Sequence, residues 1–146
     1  MHTIDAKNRM SLPATFRQQL QQRGPGDEAP KPPIITNANF CLELYPFDDW
    51  VKFEEDIVSI ASVDPEAQAY ARVMISGATE CPIDKQGRVL VPTHLREYAG
   101  LKREVTVAGV GPKIELWDTA RFEANLQMIQ SRFEGVAMSV AGKLAS

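Results

Sequence analysis

Two aspartate–arginine pairs at the same spacing, Asp5 with Arg9 and Asp84 with Arg88, are the residues here best placed to do chemistry. Each pair sits in one phrase written twice: Ile4–Pro13 reads IDAKNRMSLP and Ile83–Pro92 reads IDKQGRVLVP. Asp-x-x-Asn/Gly-Arg describes a tight turn. The aspartate accepts local backbone donors, and Asn8 or Gly87 takes the left-handed position. The arginine then admits two readings. In one, it makes a surface ion pair with the aspartate, worth ~0–1 kcal/mol. In the other, Arg9 and Arg88, with Lys7, Lys85, Arg17 and Arg96, project from one face onto phosphates and base edges, contacts that guanidinium and ammonium groups suit. The bare pattern is weakly specific. Its occurrence twice, in the same surrounding frame, is what lifts the second reading.

Other chemistry has less to stand on. The only histidines are His2 and His94, and no Ser-His-Asp or Cys-His arrangement has a recognisable signature. Two histidines and two scattered cysteines, Cys41 and Cys81, lack metal-ligand spacing. The cysteines read as small buried thiols. Neither glycine-rich phosphate loop, GxxxxGK[ST] nor GxGxxG, occurs. The acids between Asp48 and Glu66 read as the solvated face of an amphipathic helix rather than as catalytic carboxylates. Tyr45 and Trp117 could stack on bases, but each ends an apolar strand just before a helix, which favours the core. No catalytic residue, metal, cofactor or small-molecule substrate is expected.

Composition agrees with a soluble globular protein, at 44% apolar and 24% charged residues over 146 positions. No apolar run approaches the ~18 residues of a membrane span. The opening MHTIDAKN has no apolar signal core, so a cytoplasmic location is expected. The net charge of −3 argues weakly against nucleic acid, but its distribution matters more. Lys7, Arg9, Arg17 and Arg23 accompany Asp5 in the first repeated region, and Lys85, Arg88, Arg96, Lys102 and Arg103 outnumber Asp84 and Glu97 in the second. Between them, Lys52 alone opposes Asp48, Asp49, Glu54, Glu55, Asp56, Asp64 and Glu66. The molecule is polarised.

The repeat extends beyond the turns. Ile4, Asp5, Arg9, Pro13 and Arg17 align with Ile83, Asp84, Arg88, Pro92 and Arg96, and CLELYPFDDW at Cys41–Trp50 aligns with KIELWDTARF at Lys113–Phe122. The first half carries an extra GPGDEAPKPP at Gly24–Pro33, whose Pro and Gly content predicts a surface loop. Each unit reads as strand, turn, strand, short helix, strand, strand. Arg88-Val-Leu-Val leaves the turn as a strand, which Pro92 stops, as Pro13 does in the first copy, before a short helix. That helix turns Phe16 and Leu20, or Leu95 and Ala99, inward. Helical spacing predicts further helices carrying Trp50, Phe53, Ile57 and Ile60, then Ala67, Tyr70, Ala71 and Met74 after the Asp64-Pro65 cap, then Phe122, Leu126, Ile129 and Phe133 after Asp118. The tail from Gly135 to Ser146 is weakly patterned and expected to fray. Only Met1-His2-Thr3 precede Ile4, so the first unit's opening strand is expected to be shortened.

ID-x-x-x-R-x-x-x-P-x-x-x-R, twice, followed by LELYP-x-x-x-W and ELW, is similar to the MraZ family of bacterial transcriptional regulators. The resemblance runs from Met1 to about Phe133, and each unit resembles the SpoVT/AbrB swapped-hairpin domain. It implies an α+β fold: a pseudo-two-fold swapped-hairpin β-barrel built from two internal repeats. Helical spacer and C-terminal helices accompany it. The expected divisions are 1–47 and 76–120 for the repeats, 48–75 for the spacer, and 121–146 for the C-terminal helix and tail. It implies binding of double-stranded DNA through Asp5, Arg9, Asp84 and Arg88, at short direct repeats in the promoter of a cell-division and cell-wall gene cluster. It also implies a ring-shaped homo-oligomer in the cytoplasm, associated with the nucleoid. Lys7 and Lys85 share the turns and are expected to touch phosphates, with Arg17 and Arg96 as further DNA-contact candidates. An AbrB-like antitoxin or protein-interaction module is the alternative, although such proteins usually carry one unit rather than two.

Overall fold

The computed structural model of the protein describes residues 2–21 and 31–145. Its elements run in two parallel series. The first is β1 (His2–Thr3), β2 (Arg9–Ser11), α1 (Ala14–Leu20), β3 (Ile34–Asn37), β4 (Leu42–Tyr45), α2 (Phe47–Ala61) and α3 (Pro65–Ser76). The second is β5 (Thr79–Glu80), β6 (Arg88–Leu90), α4 (Thr93–Ala99), β7 (Glu104–Val110), β8 (Lys113–Asp118), α5 (Thr119–Gln130) and α6 (Phe133–Ala145). The fold is mixed α and β with antiparallel strands, and every element of one half has a counterpart in the other. The loop predicted at Gly24–Pro33 lies outside the described residues over 24–30.

The halves are joined through their strands. A six-stranded sheet runs β1-β7-β8-β4-β3-β5, and β2 and β6 form a separate two-stranded ribbon. At the centre Leu42 faces Leu116, Glu43 faces Glu115 and Leu44 faces Ile114, so the halves meet between β4 and β8. Each half's opening strand serves the other half: β1 pairs with β7, and β5 pairs with β3. The ladder stays open, with β1 and β5 at its two edges.

Alternation along the strands sorts the side chains. Leu42, Leu44, Ile114 and Leu116 point into one core with Val89, Val91 and Leu95, all of them fully buried. Each such side chain contributes about 1.5–3 kcal/mol through burial. The other sheet face presents Glu43 and Tyr45. There α2 lays Trp50 edge-on against Tyr45, at 5.3 Å between ring centroids, while Phe53 stacks on Tyr45 at 5.3 Å. Glu43 is buried but not orphaned, because it accepts the Tyr45 hydroxyl at 2.8 Å and pairs with Lys113. Both aromatic residues with a stacking alternative, Tyr45 and Trp117, are buried. Both cysteines are free and buried, and burial pushes each thiol up to about 12.

Local signals account for the helix starts. Asp64 accepts the Glu66 N–H at 3.0 Å with Pro65 in the first turn, and Asp118 accepts the Arg121 N–H at 3.2 Å. Three expectations need correction. The tail does not fray: Phe133–Ala145 forms α6. The apolar faces expected of the helices are incomplete: Ile60, Tyr70, Leu126 and Phe133 stay exposed, and Phe133 opens α6 rather than continuing the helix from Asp118, which ends at Gln130. The first unit's opening strand is short, but β5 is a two-residue strand as well, so shortness is common to both units. Among the described residues no helix is long and apolar enough to cross a membrane. Nor do they hold a group of three or more His, Cys, Asp and Glu suited to a metal.

Candidate functional site

The two repeated turns are built alike. Asp5 Oδ1 accepts the backbone N–H groups of Lys7 at 2.8 Å and Arg9 at 2.9 Å, and the Asn8 N–H donates to the Asp5 carbonyl at 3.1 Å. In the second copy Asp84 Oδ1 accepts from Gln86 and Arg88, both at 2.9 Å, and the Gly87 N–H donates to the Asp84 carbonyl at 3.0 Å. Closing the loop this tightly requires a left-handed residue, and Asn8 (φ 66°) and Gly87 (φ 77°) supply it.

The second carboxylate oxygen orients the arginine. Arg9 Nε donates to Asp5 Oδ2 at 3.0 Å, and Arg88 Nε donates to Asp84 Oδ2 at 3.1 Å. Only Nε is engaged by the aspartate, which leaves the outer guanidinium nitrogens to other partners. Those of Arg9 have no partner among the described residues, while Arg88 Nη2 donates to Gln86 Oε1. In Asp5 the Arg9 N–H is the chief cause of a pKa below the ordinary aspartate value; the Lys7 N–H and the guanidinium assist, against opposing desolvation. Asp84 is lowered in the same way, first by the Arg88 N–H. Both carboxylates are therefore charged at neutral pH.

The fold brings the two turns together. Across the β2–β6 ribbon Arg9 faces Leu90, Met10 faces Val89 and Ser11 faces Arg88. Met10 and Val89 are buried, so Arg9, Ser11, Arg88 and Leu90 occupy the opposite, outward face. Arg9 and Arg88 are diagonal neighbours on that face. Each turn also grips the other's strand: the Leu12 N–H donates to the Gly87 carbonyl at 3.0 Å, and the Val91 N–H donates to the Asn8 carbonyl at 2.8 Å. Lys7 and Lys85 are exposed beside the arginines.

The remaining two candidates do not share this outward face. Arg96 is turned inward, with Nη1 donating to the Asp5 carbonyl at 2.8 Å and to Asn8 Oδ1 at 2.7 Å. Its Nε donates to the Leu101 carbonyl at 3.1 Å and Nη2 to the Lys102 carbonyl at 3.2 Å. Arg17 packs beneath the second turn, where its Nε is buried without a hydrogen-bond partner among the described residues. It borders a cleft of about 240 Å³ between α1 and the turn, which Gln18, Gln21, Asp84 and Lys85 also line. Sequence reasoning passed over Thr93, whose Oγ1 accepts Asn8 Nδ2 at 2.9 Å. A signal was present: the first unit has Asn8 with Ala14 where the second has Gly87 with Thr93.

Comparison with known proteins gives the chain its family. The family model described as "MraZ protein, putative antitoxin-like" matches residues 1–73 and again 74–138. The chain is 38% identical over 141 residues to the transcriptional regulator MraZ of Desulfitobacterium hafniense (strain DSM 10664 / DCB-2), covering 96% of this chain and 92% of that protein. It is also 38% identical over 136 residues to the protein of the same name from Moorella thermoacetica, covering 93% and 90% of the two chains. The Halothermothrix orenii protein of that name is 37% identical over 140 residues, covering 95% and 92%.

Proposed function

The chain belongs to the MraZ family, matched over both of its halves, and from that premise we propose that it is a DNA-binding transcriptional regulator. The observation that carries the proposal is the convergence of both Asp-x-x-x-Arg turns on one outward face of the β2–β6 ribbon. A two-stranded ribbon fits the ~12 Å major groove of B-DNA. Asp5 and Asp84 hold Arg9 and Arg88 by Nε, which leaves both outer nitrogens of Arg9 and Nη1 of Arg88 for guanine edges or phosphates, while Gln86 engages Arg88 Nη2. Lys7 and Lys85, exposed and flanking, supply phosphate contacts that set register without reading sequence. Arg96 takes no part in the contact, and Arg17 contributes only if it leaves its place under the second turn.

The finer features belong to the same reading. Strand exchange between the halves, with β1 on β7 and β5 on β3, supports a swapped-hairpin unit whose barrel is completed by the β2–β6 ribbon. The division into repeats at 1–47 and 76–120, spacer at 48–75 and C-terminal segment at 121–146 is kept. The bare apolar residues of α6, Phe133, Met138 and Leu144, support self-association into a ring. A ring would present many turns at once, and avidity would multiply a modest affinity per turn at short direct repeats. The targets in this reading are such repeats upstream of the regulator's own cell-division and cell-wall gene cluster, in the cytoplasmic nucleoid.

The experiment is an anisotropy titration of the protein's own upstream DNA against an unrelated fragment at several salt concentrations. Specific binding should weaken with salt, with a logarithmic slope of about −0.9 per phosphate contact. Arg88→Ala should weaken it by roughly tenfold or more, the scale of one lost bidentate base contact, with an unchanged melting curve. Equal affinity for wild type and variant would sink the reading. The same exposed apolar residues of α6 favour a second reading, a protein-interaction or antitoxin-like module. A stable partner protein co-purifying with a chain that shows no DNA preference would establish it.

A further inference from the structure

The two turns share the hydrogen bonds that Asp5 and Asp84 accept, and the second adds Arg88 Nη2 to Gln86 Oε1; they differ further in what holds them from behind. Behind the first stands Arg96, on α4 of the other half, with Nη1 shared between the Asp5 carbonyl and Asn8 Oδ1. Asn8 completes the connection by donating to Thr93 Oγ1 on the same helix. Behind the second stands Arg17, on α1, which is Arg96's counterpart in the repeat. No side chain at position 87 meets it, and among the described residues it donates no hydrogen bond to the turn. Its guanidinium instead fills the space a side chain would need, since a Cβ on Gly87 would lie 2.0 Å from Arg17 Nη1. The counterparts of Leu101 and Lys102, which accept from the far side of Arg96, fall at positions 22 and 23, outside the described residues. The contrast therefore concerns the groups that face the turns.

We propose that Arg96 is a positioning residue for the first DNA-facing turn, fixing Asp5–Arg9 through the Asp5 carbonyl and Asn8, so that this turn is preset while the second, packed over Arg17, adapts. The inference rests on the DNA-binding reading and assigns unequal roles within it. A charged donor shared between two acceptors on one turn restrains that turn more than packing alone, because hydrogen bonds from charged groups are the stronger class. The restraint reaches the contact residue directly. Asn8 adjoins Arg9, and Asp5 holds the Arg9 side chain by Nε. A preset contact loses less freedom on binding, which favours affinity. The first turn therefore sets register on DNA and the second adjusts to it.

The test uses the full chain and two variants. Asn8→Gly keeps the left-handed backbone, copies the residue of the second turn, and deletes both side-chain links to α4. Arg96→Lys keeps the charge but cannot reach all four acceptors. Amide protection factors in the free protein come first. In wild type, Asn8 and Arg9 should be more protected than Gly87 and Arg88, and Asn8→Gly should lower protection at Arg9 by about tenfold, the scale of one hydrogen bond from a charged donor, with Arg88 unchanged. On upstream DNA the same variant should bind about fivefold more weakly at an unchanged salt slope, whereas Lys7→Ala should reduce the slope by about 0.9. Unchanged protection at Arg9 in both variants overturns the inference whatever the DNA result. Lowered protection with unchanged DNA affinity also overturns it, and so does a reduced slope for Asn8→Gly, which would make position 8 a direct contact. Should the wild type bind no DNA while protection responds as expected, the brace stands and the DNA reading falls.

Discussion

After β4 the chain enters the helices α2 and α3; after β8, in the equivalent place, it enters α5 and α6. The first pair is seated. Trp50, Ile57 and Met74 are buried, and Trp50 and Phe53 close over Tyr45. The second pair is bare: Thr119 is the one buried residue that α5 contributes, and α6 contributes none. The difference follows from the residues at matching positions. Trp50 corresponds to Phe122, which reaches Trp117 at 5.7 Å but stays half-buried. A duplicated backbone does not oblige both copies to be covered in the same way. One copy has become part of a second small core, with Ile34, Tyr45 and Trp50 at its centre. The other presents Phe133, Met138 and Leu144 to solvent, the first of them 61% exposed.

Truncating the matching aromatic residues should separate the two regions most widely. Trp50→Ala removes a buried ring from between Tyr45 and α2 and should cost about 3–5 kcal/mol in chemical denaturation, the range for large aromatic residues in cores. Phe122→Ala should cost about half of that or less, since its ring is only partly withdrawn from water. Equal losses would break the comparison, because they would mean that α5 is covered in solution. A loss for Phe122→Ala that grows with protein concentration would identify the cover as another copy of this chain.

The turns should differ less, and in the opposite sense. Gly87→Ala imposes a side chain at φ 77° and drives a Cβ against Arg17, so it should cost about 2–3 kcal/mol from both causes. Asn8→Ala meets no collision and only a small backbone penalty, because asparagine already bears part of the left-handed cost, and it gives up two side-chain hydrogen bonds at the surface, for about 1–2 kcal/mol in all. Repeating Gly87→Ala with Arg17→Ala should recover the part due to the collision, leaving only the left-handed cost. No recovery would mean that Arg17 already moves aside freely, and the unequal packing behind the turns would lose its basis.

How much of this was legible in the sequence varies with how local the cause is. The turns were fully legible. Asp accepting from the amides that follow it, and Asn8 or Gly87 going left-handed, are decided within five residues. So were the Asp64-Pro65 and Asp118 helix starts, and the burial of Tyr45 and Trp117 at strand ends. Helix α6 was not. Gly135, Gly142 and a run of small residues blur a helical pattern and lower its propensity, yet no competing element claims the segment. The crossing of β1 to β7 and β5 to β3 was not readable residue by residue, because pairing across a long separation leaves no local mark; it entered only through the family resemblance. Arg17 and Arg96 show the limit most plainly. Their type and spacing mark both for phosphate, but direction comes from the opposite half of the fold, where Asn8 accepts from one and Gly87 makes room for the other.

The smallest effect expected is one in which the turns should not differ at all. Asp5 and Asp84 are both held below the ordinary aspartate value, in each case first by the N–H of the arginine four residues on and only afterwards by its guanidinium. A carboxylate whose folded pKa is depressed gives its stabilisation above the unfolded value and loses it as pH falls through the folded one. The turns should therefore be intact at every pH above the ordinary aspartate range. Below it they should loosen together, seen by NMR as joint titration of the Lys7, Arg9, Gln86 and Arg88 amides. Because the backbone donor leads, Arg88→Gln, which keeps that N–H, should retain most of the depression at Asp84, and added salt should change it little. If the Asp84 titration returned to the ordinary value in that variant, the guanidinium rather than the backbone would hold the carboxylate. Arg88 would then be tied to the turn as an ion pair, and it would have less freedom than Arg9 to turn its charge outward.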